Sequence, residues 1–368
     1  MLKEYNKKKI EDPDSPEGLV SVGNVRAMSG LYDSAVDHFR KALEIRPQCD
    51  EAHYGLACVY CAMGNLEGAE KEYLETLRIN DAHPGAHSDL GNLYLCVGRL
   101  PEAVAELQRS LELDGKQHVA HYRLSLAYLR MNRDDEAISE LKAALELKPS
   151  YSEAHTALGR TYGLLGKPDE AIEEFSRVVE LNSQDAVGHY DLGLALSMRG
   201  DLGEANREFA EAIRLDPEFS DPHVSMGNNL LTGGEQLNEA AFEYREAIRL
   251  NPYMEEPHYK LAEVYERKGL MGEAIKQYRE ALAISPGIFE AHFRLGIIHM
   301  NIGRLEEAVR ELAAAAEVKP DSAKAYHELG NAFSKMGFPD DAQKNYDRAA
   351  ALDPVYARPP AGKPKDTT

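Results

Sequence analysis

One pattern of residues returns every 34 positions along most of this 368-residue chain, with a single extra residue before Ala240. Its most regular member is an alanine, and a larger apolar residue follows four positions later, as Tyr278 follows Ala274. The recurring alanines are Ala35, Ala69, Ala103, Ala137, Ala171, Ala205, Ala240, Ala274, Ala308 and Ala342. Each period holds two apolar runs at helical spacing, and proline ends seven of the ten periods. One such hairpin cannot bury its own apolar face, so the repetition predicts a stack of similar hairpins.

A small residue also recurs in the first run of every period. These residues are Gly23, Ala57, Gly91, Ser125, Gly159, Gly193, Gly227, Ala262, Gly296 and Gly330. Small residues at fixed places let two helices approach closely, where a larger side chain would hold them apart. Glycine or asparagine lies between the runs, as at Gly64 and Asn132, where a helix commonly exits through a left-handed residue. We therefore expect two closely packed helices in each period.

A helix–turn–helix period of 34 residues is typical of the tetratricopeptide repeat, and the chain resembles that family over residues 16–356. The resemblance implies an all-α solenoid, a right-handed superhelix of antiparallel helix pairs. First helices would line its concave surface and second helices its convex one. The ten predicted units are 16–49, 50–83, 84–117, 118–151, 152–185, 186–219, 220–254, 255–288, 289–322 and 323–356. The flanking segments 1–15 and 357–368 are polar or rich in proline, which predicts disorder.

The charge balance limits the classes of partner. The chain has 62 acidic and 42 basic residues and a formal net charge of −20, which argues against sequence-independent nucleic-acid binding. No apolar run approaches the roughly 20 residues that span a bilayer, so we expect no membrane insertion. Residues 1–15 lack the apolar run of a secretory signal, which predicts a cytoplasmic protein. An upstream signal that has been removed is the alternative.

The resemblance implies that the second, fifth, ninth, twelfth and thirteenth residues of each unit face the concave groove, and the candidates come from the fifth and ninth places. The candidate partner-binding residues are Tyr54, Asn92, Tyr122, Arg160, Tyr190, Asn228, Tyr259, Phe293 and Asn331. Aromatic side chains present a large area with few rotatable bonds, and asparagine can bond an extended backbone as donor and acceptor. The alternative is that the tyrosines only pack against the neighbouring first helix. The fifth residue is never lysine or arginine, so the carboxylate clamp of the family's co-chaperone members is not expected.

Eight histidines occupy one repeat position: His53, His87, His121, His155, His189, His223, His258 and His292. Metal ligands must converge on one point at about 2 Å, whereas neighbouring helices already lie about 8–10 Å apart. One histidine per repeat therefore cannot form a metal site, and we expect these rings to pack between helices. If they are buried and neutral, the protein should lose stability at low pH.

Cysteine offers a second candidate for metal or redox chemistry. Cys58 and Cys61 form a C-x-x-C in one first helix, and Cys96 lies in the next. Residues three apart are neighbours on a helix, but a second C-x-x-C and the strand–helix context of thioredoxin-type motifs are missing from the pattern. We interpret the cysteines as small apolar side chains and expect no metal or cofactor, with a metal or redox site as the alternative.

The sequence contains no readable nucleophile–base constellation and no glycine-rich phosphate loop, so we expect a protein that is not an enzyme. The predicted function is a scaffold or adaptor that binds a partner peptide or helix in the groove. The partner is expected to carry apolar side chains, and a partner that also carries basic side chains is the second option. The alternative is an accessory subunit of a glycosylation, secretion or pilus-assembly system that docks through its convex face or array ends. Self-association through the ends is also left open.

Overall fold

The structure, a computed structural model, describes residues 13–234 and 236–356. Within these residues all regular structure is helical, with twenty α-helices and a short 3-10 turn at Pro354–Tyr356. Contacts divide the described residues into two compact units, one that ends at residue 183 and one that begins at residue 184. The predicted all-α solenoid of tandem antiparallel helix pairs is confirmed. Residues 1–12 and 357–368, for which disorder was predicted, lie outside the described residues.

The first compact unit contains five helix pairs, in which odd-numbered helices are first helices and even-numbered helices are second helices. The pairs are α1 Pro16–Met28 and α2 Tyr32–Ile45, α3 Asp50–Ala62 and α4 Leu66–Ile79, α5 Pro84–Cys96 and α6 Leu100–Leu113, α7 His118–Arg130 and α8 Asp134–Leu147, α9 Ser152–Leu164 and α10 Pro168–Leu181. Each second helix from α2 to α8 also packs against the next first helix. The first helices α1, α3, α5 and α7 contact one another in sequence.

The second compact unit repeats this arrangement. Its pairs are α11 Ala186–Arg199 and α12 Leu202–Leu215, α13 Asp221–Thr232 and α14 Leu237–Leu250, α15 Glu255–Arg267 and α16 Met271–Ile284, α17 Phe289–Asn301 and α18 Leu305–Val318, α19 Ala323–Met336 and α20 Pro339–Leu352. The turn between α13 and α14 has four residues, where the turn between α3 and α4 has three. The extra residue of the sequence pattern therefore falls in a turn and leaves the adjoining helices intact.

The recurring alanines and small residues form the contact between the two helices of each pair. Ala205 is fully buried in α12, and Phe209, one turn further along, is also fully buried. A Cβ atom at Gly193 of α11 would lie 2.5 Å from Cε1 of Phe209, closer than real side chains approach. Glycine at this place is therefore required for the aromatic ring to fit between the helices.

The turns inside the pairs end the first helices in the predicted way. Gly64 has φ of +77° and Asn132 has φ of +56°, both in the left-handed region. In the turn after α3, the Gly64 amide donates to the Cys61 carbonyl and the Asn65 amide donates to the Tyr60 carbonyl. These bonds satisfy carbonyl groups that a helix end would otherwise leave unpaired. Of the helices described, none is long and apolar enough to cross a membrane.

Candidate partner-binding surface

One side of each first helix is accessible, and we call it the first-helix face. In α9 it consists of Glu153, Thr156, Arg160 and Leu164, which follow one another at spacings of three or four residues. Glu153 and Arg160 are exposed, Thr156 is half-buried, and Leu164 is 90% exposed. The other first helices contribute the matching residues, at the second, fifth, ninth and thirteenth places of each predicted unit. Because the opposite side of each helix is buried, this face is what the first helices offer to a partner.

All nine candidate residues lie on this face, but they are not equally accessible. In the first compact unit Tyr54, Asn92 and Tyr122 are half-buried and Arg160 is exposed. In the second compact unit Phe293 is only 5% exposed. The half-buried candidates of that unit are Tyr190, Asn228, Tyr259 and Asn331. The tyrosines and asparagines therefore present part of each side chain to solvent and use the rest in contacts within the fold.

Tyr54 shows what these internal contacts are. Its hydroxyl group donates to Oδ2 of Asp89 on α5 at 2.7 Å, and Nη1 of Arg123 on α7 donates to Oδ1 of the same carboxylate at 2.8 Å. Its ring centroid lies 4.7 Å from that of His83 and 6.1 Å from that of Tyr73. Burial and the Asp89 carboxylate raise the pKa of Tyr54 above its ordinary value. Tyr54 therefore helps to join three consecutive first helices.

The other face tyrosines pack on aromatic rings in the same manner. The ring centroid of Tyr122 lies 5.2 Å from that of Tyr151, which belongs to the loop before the next first helix. The ring centroid of Tyr190 lies 5.0 Å from that of Phe219 in the equivalent loop and 5.7 Å from that of Phe209. Both rings contact the following loop, and Tyr190 also contacts the second helix of its own pair, so these tyrosines have a packing role within each compact unit.

The asparagines of the second compact unit are fixed by their neighbours. Oδ1 of Asn228 accepts a hydrogen bond from the Tyr244 hydroxyl at 2.7 Å, and its Nδ2 donates to Glu256 at 3.2 Å. Asn331 repeats this pattern with the hydroxyl of Tyr346 at 2.8 Å and with Glu328 at 3.1 Å. The amide groups are therefore held in one orientation, because a tyrosine hydroxyl must donate when it faces an amide oxygen.

Carboxylates surround the aromatic rings of α15 and α16. Glu263 accepts from the Tyr259 hydroxyl at 3.1 Å and from Nζ of Lys260 at 3.0 Å. Glu266 accepts from the Tyr278 hydroxyl at 3.0 Å. Burial is the main cause that raises the pKa of Tyr259 and of Tyr278, and these carboxylates raise both further. This part of the face therefore combines aromatic rings with negative charge.

The eight histidines at the recurring position have hydrogen-bond partners that the sequence analysis did not predict. Nδ1 of seven of the eight histidines lies 2.5–2.7 Å from a glutamate on the second helix of the same pair, and Nδ1 of His258 lies 2.7 Å from Gln277. The glutamates are Glu72, Glu106, Glu140, Glu174, Glu208, Glu243 and Glu311. The sequence contains a signal for this contact, because a glutamate lies 19 or 20 residues after seven of the eight histidines.

This contact makes the predicted instability at low pH wrong for four of the histidines. The bond to glutamate raises the pKa of His53, His121 and His292 above the ordinary value of 6.5. At His87 burial lowers the pKa, but the bonds to Glu106 and to the Asp81 carbonyl outweigh burial and leave it raised. The prediction failed because it considered burial of the ring and not the charge opposite it.

Cys58 and Cys61 lie in a setting that disfavours the thiolate form. Burial raises the pKa of Cys58 to about 11 and also raises the pKa of Cys61. The Tyr73 hydroxyl donates to Sγ of Cys58 at 3.6 Å. Among residues 13–234 and 236–356, no group of three or more histidine, cysteine, aspartate or glutamate side chains is placed to hold a metal ion.

Comparison with protein families decides the class. The family model described as tetratricopeptide repeat matches residues 27–88, 97–161, 128–190 and 267–332, which together exceed half of the chain. The chain belongs to the tetratricopeptide repeat family. Further models of the repeat match residues 229–269, 323–356, and 84–109 with 186–211. A comparison with curated proteins gave no significant match.

The first two of the following solved structures show the same fold, and the third is reported for its sequence similarity. A tetratricopeptide repeat protein from Parabacteroides merdae is 17% identical with a TM-score of 0.51, over 64% of this chain and 93% of that one. PilF of Pseudomonas aeruginosa is 20% identical with a TM-score of 0.50, over 59% and 97%. YrrB, described as a TPR protein with an unusual peptide-binding site, is 25% identical with a TM-score of 0.46, over 50% and 94%.

Membership of the tetratricopeptide repeat family gives the chain the fold of a protein–protein interaction scaffold. One residue of its first-helix face escaped the sequence interpretation, namely Leu164. A leucine at the end of a helix ordinarily suggests a buried contact, so its type gave no warning of its exposure. Its place, thirteenth in its unit, was the available signal, because the resemblance assigns that place to the groove.

Proposed function

We propose that this tetratricopeptide repeat protein is a non-catalytic scaffold or adaptor that binds a partner peptide or helix on its first-helix face. The observation that carries the proposal is Leu164, whose side chain is 90% exposed beside Arg160 at the end of α9. Fully burying a leucine under a partner would contribute about 1.5–3 kcal/mol. A leucine that the fold leaves in water on this face is therefore an anchor point for a partner.

The chemistry of the face favours an extended or helical segment with apolar side chains. Tyr122 and Leu126 of α7 lie on the same face as Leu164 and are half-buried, so a partner can cover their remaining area. Asn92 of α5 can bond a partner backbone as donor and acceptor. In the second compact unit the exposed Glu256 and Glu290 favour basic side chains on the partner.

The experiment compares the first-helix face with a surface of a second helix in the same chain. Peptides selected from a displayed random library on the wild-type protein are titrated by fluorescence polarisation. The variant Arg160→Ser, Leu164→Ser should weaken binding at least about tenfold, which corresponds to about 1.4 kcal/mol. Leu74→Ser is the matched control, because Leu74 is a 47% exposed leucine of the second helix α4. Equal affinity of both variants and the wild type would contradict the proposal for this part of the face.

A second candidate function rests on the second helices. Phe242 of α14 is 52% exposed, although the other units carry alanine or a polar residue two places after the recurring alanine. This aromatic side chain suits an accessory subunit that docks on an assembly through its second helices. Phe242→Lys in the same titrations, and in pull-downs from host lysate, separates the two functions. A partner that is lost only from the Phe242→Lys protein would favour the second.

A further inference from the structure

A set of five repeated histidines lies between a glutamate oxygen at Nδ1 and a backbone carbonyl oxygen at Nε2. Their Nδ1 atoms lie 2.5–2.7 Å from glutamate Oε2, and their Nε2 atoms lie 3.0–3.3 Å from a backbone carbonyl oxygen of the loop that precedes the repeat. They are His53 with Glu72 and Pro47, His87 with Glu106 and Asp81, His121 with Glu140 and Gly115, His155 with Glu174 and Pro149, and His292 with Glu311 and Pro286. Each set joins a loop, a first helix and a second helix. We call such a set a clasp.

The chemistry of a clasp requires a proton that its separate parts do not carry at neutral pH. A neutral imidazole has one N–H group, whereas a carboxylate and a carbonyl oxygen only accept. Both bonds of a clasp therefore form only when one more proton is present, on the ring or on the carboxylate. The side chains of the five histidines are 6–16% exposed, so water cannot readily replace either bond.

One repeat provides a natural comparison. Nδ1 of His258 lies 2.7 Å from Oε1 of Gln277, and its Nε2 lies 3.4 Å from the Pro252 carbonyl oxygen. An amide carries both a donor and an acceptor, so Gln277 can turn its NH2 group toward Nδ1. A neutral imidazole then satisfies both bonds. Glutamine at this position therefore preserves the geometry and removes the need for the extra proton.

We propose that the clasps of His53, His87, His121 and His292 bind protons as the protein folds, so that lowering the pH toward 6 fastens the loops between repeats and raising it above neutrality loosens them. Three of these four clasps occupy consecutive repeats of the first compact unit, at His53, His87 and His121. The proposal goes beyond partner binding, because it concerns how firmly neighbouring repeats are joined. Proton uptake of about one per clasp is the upper limit.

The acidic groups that face the histidine rings all favour the extra proton. His53 faces Glu72 and Glu75, and His87 faces Glu106 and Asp81. His121 faces Glu140, and His292 faces Glu311. Arg78 pairs with Glu75 and Arg109 pairs with Asp81, so these two cations offset part of the negative charge near His53 and His87.

These neighbours set the sign of the pH dependence. A histidine whose pKa is raised on folding contributes its full stability below the ordinary value of 6.5 and loses it as the pH rises through the folded value. The loss therefore falls at pH values above about 6.5.

Glutamine variants of the full chain test the proposal. The melting temperature of the wild type should fall as pH rises from 6.0 to 8.5. The fall should be largely absent from the variant Glu72→Gln, Glu106→Gln, Glu140→Gln, Glu311→Gln. The control variant changes four exposed glutamates of α4, α8 and α10 to glutamine, at Glu67, Glu146, Glu170 and Glu173, and should follow the wild type. A clasp variant with the wild-type pH profile would overturn the proposal.

The reverse substitution, from glutamine to glutamate, provides a second test of the proposal. It remains available if the glutamine variants do not fold. Gln277→Glu creates a sixth clasp and should steepen the decline of the melting temperature above pH 6.5. Nitrogen-15 NMR of the wild type at pH 7 should show the two ring nitrogens of His87 both protonated or sharing the proton with Glu106. An unchanged profile in Gln277→Glu, or a neutral ring at His87 beside an ionised carboxylate, would refute the clasp.

Discussion

Tyr54 uses the two ends of its side chain in different ways. The hydroxyl group bonds Asp89 on the next first helix, and the ring packs against His83 and Tyr73. Arg123 holds the same carboxylate from the other side, so Asp89 keeps one charged partner if the hydroxyl is lost. A change that removes only the hydroxyl therefore separates hydrogen bonding from packing, whereas alanine removes both.

We expect Tyr54→Phe to lower the free energy of unfolding by about 0.5–1.5 kcal/mol, the usual net value of one hydrogen bond. Tyr54→Ala should cost more, about 2–4 kcal/mol, because packing on two rings is also lost. Urea denaturation followed by circular dichroism measures both. A Phe variant as unstable as the Ala variant would mean that the hydroxyl, and not the ring, provides the stability. Binding experiments on this face should therefore use phenylalanine in place of alanine.

At the scale of the helix pair, α11 and α12 approach so closely that only glycine fits at Gly193. The ring of Phe209 occupies the place where a side chain would begin, and Phe209 is itself fully buried. The ring has no free space into which it can move, because protein interiors are close-packed. The distance between the two helices is thus set by one residue on each.

Gly193→Ala should destabilise the second compact unit by about 1–3 kcal/mol, the usual cost of overpacking a core. The matched control is Gly203→Ala in α12, where an added Cβ atom meets nothing within 4 Å. There alanine should be neutral or stabilising by up to about 1 kcal/mol, because glycine weakens a helix. Hydrogen exchange of the amides of α11 and α12 locates the effect. Equal protection in the two variants would contradict the close approach.

At the scale of the whole chain, charge selects among partners. The formal net charge is −20, and a protein of this sign attracts cationic molecules and repels anionic ones at low salt. Glu256 and Glu290 place exposed carboxylates on the first-helix face of the second compact unit. Long-range attraction and local contacts therefore favour the same kind of segment, one that carries lysine or arginine among its apolar residues.

A library of cationic–aromatic peptides should yield binders at least about tenfold tighter than an acidic library of equal size, which corresponds to about 1.4 kcal/mol. The advantage should shrink as salt is raised from 50 to 500 mM, because salt screens exposed charges. Glu256→Gln, Glu290→Gln should reduce the salt dependence. Acidic peptides that bind as well as cationic ones would show that apolar contacts alone select the partner.

The sequence was sufficient for the repeat because burial constrains residue size. Ala205, Gly193 and Phe209 lie where packing limits the size of the residue. An alanine, a small residue and a larger apolar residue return at these three places with the period. The exposure of Leu164 could not be predicted from its residue type. The extra proton proposed for the clasps could not be predicted either. It follows from the positions of two acceptor oxygens, one at each nitrogen of the same histidine ring. Glutamate and histidine recur together in the sequence. The loop carbonyl that completes each clasp cannot be recognised in the sequence, because every residue type has a backbone carbonyl.

The turn before α14 has four residues, one more than the turn between α3 and α4, and the two helices that it connects still align as in the other pairs. His223 and Glu243 are 20 residues apart, one more than in the other pairs, and still meet at 2.6 Å. The additional residue changes the length of the connection and not the alignment of the two helices. Since lengthening a surface loop costs little chain entropy, this turn is a natural insertion point for engineering. A fluorescent tag or an affinity epitope placed there would report on the protein without disturbing the repeats beside it.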